Sequence, residues 1–126
     1  MRLLLDTVTF LWAVSSPELI SRAAIFALAR EDVVREISAV SLSEIAIKQA
    51  RGKLTLRKED LRRGLVDLQL RVLPYTAEHA WGLFDLPLHH ADPFDRQIIA
   101  QALAEGIPVV TSDRAFRLYR NLNVIW

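Results

Sequence analysis

At 126 residues and 52% hydrophobic, the chain is long enough to bury a real core and too short for two domains, so residues 1–126 are expected to form one. With 16 Lys plus Arg against 15 Asp plus Glu, the net charge of +1 excludes the overall basicity on which many nucleic-acid binders depend, and any such partner must be held locally. The absence of cysteine excludes disulfides, thiolate metal sites and a Cys nucleophile together.

The opening apolar run breaks off at Asp6, too soon for an export signal or a spanning helix, and a cytoplasmic protein with no membrane partner is expected. Residues 2–5 read as a buried strand delivering Asp6 to its C-terminal end. Val8, Leu11 and Trp12 share a face of the helix that follows; Ser15-Ser16-Pro17 stops it, and a second helix is expected over 18–29. A second strand over 35–41 should run into a helix with Ser41 as N-cap and Glu44 three residues on, the spacing of a capping box. Gly52 ends that helix, and Leu61, Leu65 and Leu68 recur at helical spacing in a fourth over 58–70. A brief strand at 72–74 and a fifth helix over 77–84 come next. The polar stretch 87–95 forms a loop into a sixth helix, with Ile98, Ile99, Ala102 and Leu103 on its inner face and Gly106 as its cap. Residues 108–111 form a strand, 114–119 a short helix and 124–125 the last strand.

Strands alternating with helices imply right-handed crossovers and an α/β fold, a three-layer α/β/α sandwich about a central, mainly parallel sheet. Ligands bind such folds at the carboxyl ends of the strands. Asp6, Glu44 and Asp113 follow predicted strands, and Asp95 lies in the first turn of the sixth helix, so topology gathers four carboxylates at one edge. Taken singly, Asp6 and Asp113 are good turn and cap residues, Glu44 completes a capping box, and Asp92 before Pro93 is an N-cap; Asp95 has no such explanation. Acids at every site-facing terminus repel one another unless a cation relieves them. Hard oxygen ligands suit Mg²⁺ or Mn²⁺, and a pair of such ions can clamp the attacking and leaving oxygens of a phosphodiester, so metal-dependent cleavage of nucleic acid is the leading expectation.

Around the acids, Thr7 and Ser112 are either ligands of a phosphate or metal-bound water, or turn hydroxyls. Arg96 and Arg114 either pair with the neighbouring Asp95 and Asp113 or contact a nucleic-acid backbone. His89 and His90 lack the converging partners of a zinc site and are expected as loop or substrate-side residues. Phe10, Trp12, Phe26, Trp81, Phe84, Phe94 and Phe116 are expected in the core. The basic run Arg57, Lys58, Arg62 and Arg63 is a solvated helix face or a track for phosphates. Leu11, Trp12, Leu19, Ile20 and Ile25 offer more apolar surface than a small domain hides, and a protein partner is expected there.

Four motifs are quoted together: Leu-Leu-Leu-Asp-Thr at 3–7; Ser-Leu-Ser-Glu-Ile-Ala-Ile-Lys at 41–48 with Gly-Lys-Leu at 52–54; Asp-Pro-Phe-Asp-Arg with Ile-Ile-Ala-Gln-Ala at 92–102; and Val-Val-Thr-Ser-Asp at 109–113. In this combination, spanning nearly the whole chain, the sequence resembles the PIN-domain nucleases, in particular the VapC-like toxins of toxin–antitoxin pairs. The resemblance implies that Asp6, Glu44, Asp95 and Asp113 bind Mg²⁺ or Mn²⁺, with Asp6 and Asp95 foremost and Asp92 a fifth acid. It implies that a metal-activated water attacks an RNA phosphodiester to leave a 5′-phosphate. It also implies a homodimer and a cognate antitoxin whose segment lies in the groove and blocks the acids. Val8 stands where relatives often carry His, and Ser43 where they often carry Trp. A haloacid-dehalogenase-type phosphatase would need a second Asp at Val8, and a receiver domain an acidic pair before its first helix; neither is present. The remaining alternative is a PIN-like binding module with little turnover, whose main role is complex formation with an antitoxin.

Overall fold

In the computed structural model, which covers residues 1–126, the run Arg2–Leu5 is β1, followed by β2 at Val34–Ser38, β3 at Leu70–Leu73, β4 at Val109–Val110 and β5 at Val124–Ile125. They form one sheet in the order β3-β2-β1-β4-β5, with every pairing parallel. Parallel neighbours need crossovers. These are supplied by α1 (Thr7–Ser15) and α2 (Arg22–Leu28), by α3 (Ala39–Ala50) and α4 (Lys58–Asp67), and by α5 (Ala77–Gly82) and α6 (Pro93–Glu105). A single 3-10 turn, Arg114–Leu118, lies between β4 and β5.

The pleat sorts the strand residues into two cores. Leu4 and Val109 pack on one face against Ile98, Ile99 and Ala102 of α6. Leu3, Leu5, Ile37 and Val110 point to the other, against Phe10 of α1, Ala24 of α2 and Ile45 of α3, with Leu61 and Leu65 of α4 closing the layer. This is the three-layer α/β/α sandwich expected, and its sheet is parallel throughout.

Several boundaries differ from the sequence expectation. The second strand ends at Ser38, and that hydroxyl, not Ser41, caps α3 by accepting from Val40 N at 3.0 Å. Ala39 and Val40 extend the strand-like run Ile37-Ser38 in sequence, but β3 pairs only as far as Ser38. The second helix is divided: Pro17–Leu19 is a 3-10 turn, and α2 begins after Ser21, which accepts from Ala24 N. α4 stops at Asp67 because Gln69 adopts a left-handed φ of 52° and turns the chain into β3, two residues before the expected strand at 72. α5 tightens into a 3-10 turn at Leu83–Asp85, and the 114–119 helix is 3-10 rather than α.

The aromatic set also divides. Phe10 and Phe116 are fully buried and Phe94 and Trp12 half-buried, whereas Phe26, Trp81 and Phe84 are exposed at 76%, 69% and 80%. Phe26 and Trp81 lie on short helices, α2 burying only Ala24 and α5 only His79, and Phe84 lies in the 3-10 turn after α5, which buries nothing. Trp81 and Phe84 stack on each other instead, with ring centroids 5.4 Å apart.

Candidate active site

From β1 the chain winds outward to β2 and β3 on one side and later returns to β4 and β5 on the other. Such a reversal opens a crevice beyond the carboxyl ends of the two strands at the switch, here β1 and β4. Asp6 follows β1 directly. It is the N-cap of α1, its Oδ1 accepting from Thr9 N at 2.9 Å and its Oδ2 from the Thr111 hydroxyl at 2.6 Å. Burial raises its carboxyl above the ordinary value, hydrogen bonds from Thr111 and Thr9 oppose the rise, and the charge of Asp113 adds to it.

Glu44 is delivered by α3. With Ser38 as the cap, Glu44 stands in the second turn, where the capping-box explanation for it fails, and its side chain is turned inward and buried. Its Oε1 accepts the Thr7 hydroxyl at 2.6 Å, Ser41 Oγ lies 2.9 Å from that hydroxyl, and its Oε2 accepts from Lys48 one turn on. The Lys48 ammonium is held above its ordinary value by Glu44 first, with Asp92 and Asp95 adding, which locates this lysine in the field of the acids.

Asp95 lies in the first turn of α6, where Asp92 caps, Pro93 takes the first position and Gly106 closes the far end at a φ of 66°. The only cationic or imidazole nitrogen within ion-pair reach of its carboxylate is His90 Nε2 at 3.7 Å. Burial pushes the Asp95 carboxyl up to about 7, with the charges of Asp92, Glu44, Asp6 and Asp113 contributing in that order. Five acids from four places in the fold, two of them at the start of α6, thus share one electrostatic field. Asp92 Oδ1 accepts Asp95 N at 2.9 Å, and Asp113, exposed past β4, accepts Ala115 N at 2.9 Å. Asp6, Asp92 and Asp113 therefore do cap helical turns; Glu44 and Asp95 do not.

No three acid or imidazole groups stand close enough together to make a ready metal cluster. The donors are all hard oxygens, and Mg²⁺ characteristically keeps several waters and takes one or two carboxylates, so the set fits a hydrated hard cation and not a closed zinc cage.

The accessory positions separate clearly. Thr7 is buried and committed to Glu44; Ser112 is exposed. Arg96 does not pair with Asp95: its guanidinium donates to the carbonyls of Pro87 and Leu86 and to Tyr119 Oη. Arg114 is exposed and makes no ion pair with Asp113, because the 3-10 turn begins there and carries it away. Sequence reasoning gave Ser41 only the capping role that Ser38 fills, and no role to Lys48, Thr111 or Tyr119. Lys48 was findable from its spacing of four residues to Glu44. Tyr119, 29 residues beyond His90, left no sequence signal.

The parallel sandwich with its crevice at the switch point defines a doubly wound α/β protein. Residues 3–122 match the PIN domain, and the chain belongs to that family. Solved structures share the fold: VapBC2 from Rickettsia felis bound to a DNA fragment from its promoter (19% identity, 98% of this chain and 97% of that one, TM-score 0.75). VapBC-1 from nontypeable Haemophilus influenzae follows (18%, 98% and 96%, 0.70), as does DNA-bound VapBC from Salmonella typhimurium (21%, 98% and 96%, 0.67). No curated protein matches the sequence.

Proposed function

We propose that this chain is a metal-dependent ribonuclease, the toxin of a toxin–antitoxin pair, with Asp6, Glu44, Asp95 and Asp113 as its acidic quartet and Asp92 as an accessory acid. The observation that carries this is the crowding at Asp95, whose carboxyl is pushed up to about 7 by burial and by four other acids. Perturbation of this kind, from desolvation and like charge in a crevice, is what a functional carboxylate site produces, and a cation relieves it. Mg²⁺ or Mn²⁺ bound there supplies a Lewis acid that lowers the pKa of water and stabilises charge on a phosphodiester in in-line displacement. Asp6 and Asp95 would hold the ion; Thr111 fixes the Asp6 carboxylate, and Thr7 and Lys48 fix Glu44. Ser112 and Arg114, exposed on the rim, meet the RNA backbone.

The likeness to VapBC structures supports an antitoxin as the partner. A groove of about 340 Å³ lined by Ala13, Pro17, Ile20, Ile25, Leu28 and Leu68 offers it an apolar seat. A homodimer is expected with it. One observation favours the rival reading of a binding module with little turnover: Asp6 and Glu44 are already satisfied by protein donors, and no preformed metal cluster exists.

Incubation of total RNA with purified protein and Mg²⁺ or Mn²⁺, against EDTA and against Asp95→Asn with its fold checked by circular dichroism, separates the two. Discrete fragments needing both metal and Asp95 establish the ribonuclease. Antitoxin binding without cleavage by the folded protein establishes the module.

A further inference from the structure

His90, on the loop before α6, has no part in the acidic quartet. Its Nδ1 lies 2.8 Å from Tyr119 Oη, and Arg96 donates to the same oxygen at 3.1 Å. A guanidinium can only donate, and a phenol has one proton. With Arg96 donating to its oxygen, Tyr119 has its own proton to give to His90 Nδ1, and in that arrangement the proton of the imidazole lies on Nε2. That nitrogen is closed off from solvent without a hydrogen-bond partner, and Asp95 Oδ2 is 3.7 Å from it. A buried N–H without an acceptor is costly, so a small rotation that shortens this contact to a hydrogen bond is favoured.

The base of the chain is rigid. Arg96 is pinned by the carbonyls of Pro87 at 2.8 Å and Leu86 at 3.2 Å, and Tyr119 sits in the core beside Phe116. The His89 ring stands edge-on to Tyr119 with centroids 4.8 Å apart. We propose that Arg96, Tyr119 and His90 form a hydrogen-bonded relay that presents His90 Nε2–H to Asp95 and sets the orientation of its carboxylate. His90 is then a positioning residue for Asp95, and Arg96 acts on the site from behind, without pairing with the acid. Outer partners of this kind fix carboxylate direction and typically change metal affinity by about 10–100-fold. The relay does not depend on what the acids bind; its consequence for metal affinity rests on the ribonuclease reading.

The test is nitrogen-15 NMR of the imidazoles in the whole, metal-free chain at a pH well above the ordinary histidine range, alongside Mn²⁺ titration of His90→Ala, His90→Gln and Tyr119→Phe. The expected result is an Nε2–H tautomer for His90 that Tyr119→Phe shifts towards Nδ1–H, and Mn²⁺ binding weakened about 10-fold or more by His90→Ala. His90→Gln, whose amide can donate from the same place, should recover most of that loss, which a purely packing role for the ring would not allow. An Nδ1–H tautomer in the unaltered protein overturns the relay, as does a folded His90→Ala that binds Mn²⁺ with unchanged affinity. Absence of Mn²⁺ binding in the unaltered protein overturns the ribonuclease reading, and the tautomer with its response to Tyr119→Phe then decides the relay alone.

Discussion

Thr111 donates its hydroxyl to Asp6 Oδ2 at 2.6 Å, tying the end of β4 to the end of β1 across 105 residues of sequence. Thr9 works from the opposite direction, its N–H on Asp6 Oδ1 and its hydroxyl on the Val110 carbonyl. Both oxygens of the central acid are thus fixed before any ligand arrives, and the two threonines clamp the strands that make the crevice.

Thr111→Val removes this donor at nearly constant volume. The Asp6 carboxyl, already raised by burial, should rise further because a hydrogen bond that opposes the rise is lost. Stability should fall by about 1 kcal/mol in denaturant titration, and Mn²⁺ affinity by about 10-fold in calorimetry.

Asp95 makes the metal-free protein sensitive to alkali. Folded, its carboxyl titrates at about 7; unfolded, it returns to about 4. Between these values the native state holds more protons, so stability is full below the unfolded value and declines as pH rises through the folded one. Asp6, also raised, acts in the same direction, whereas the lowered carboxyls Asp32, Asp60 and Glu105 act below this window. In EDTA the melting temperature should fall between about pH 4 and about pH 7, and Asp95→Asn should flatten most of that fall. A profile as steep in Asp95→Asn as in the parent would assign the effect elsewhere.

The parts of the fold that local chemistry dictates were readable from the chain. Asp92-Pro93 with Gly106 marked the caps of α6, though the loop expected as far as residue 95 ends before Pro93, and Leu3-Leu4-Leu5 before Asp6 marked the central strand. What failed was decided by tertiary contacts. Ser38 rather than Ser41 became the cap because pairing with β3 ends there, and this changed Glu44 from a capping residue into an inward-facing acid. The acids of the site were visible one by one, but the groups that orient them were visible only where spacing was local, as for Lys48. Thr111 and Tyr119 act across the sheet on residues far away in sequence, and no periodicity reports that.

At the opposite end of the sheet, buried Glu36 is held by Arg2 in a 2.9 Å ion pair; Arg2 also reaches Glu105, and His79 donates to Glu105 at 3.0 Å. Arg2→Met leaves the Glu36 carboxylate uncompensated, and a loss of about 2–3 kcal/mol is expected, below the full cost of a wholly buried pair because Arg2 is partly exposed. Replacing both, Arg2→Met with Glu36→Leu, should recover much of it. Urea unfolding of the parent chain and these two variants measures this directly.

Gly64 of α4 lets α1 approach: a Cβ there would lie 2.7 Å from Val14 Cγ2. Alanine normally strengthens a helix by about 1 kcal/mol over glycine, so Gly64→Ala should gain nothing or destabilise, by roughly 1–2 kcal/mol. In a Val14→Ala background the same change should become stabilising, a reversal of sign that a double-mutant cycle reads.

The most direct measurement is calorimetric titration of the metal-free protein with Mn²⁺ near neutral pH, in two buffers of different ionisation heat, for the parent chain and for Asp6→Asn and Asp95→Asn. The expected result is binding that expels protons from the acid cluster, weakened by either substitution, with proton release abolished in Asp95→Asn. A folded parent chain that takes up no Mn²⁺, or binds it equally well without Asp6 and Asp95, would contradict the assignment of these carboxylates as a cation site.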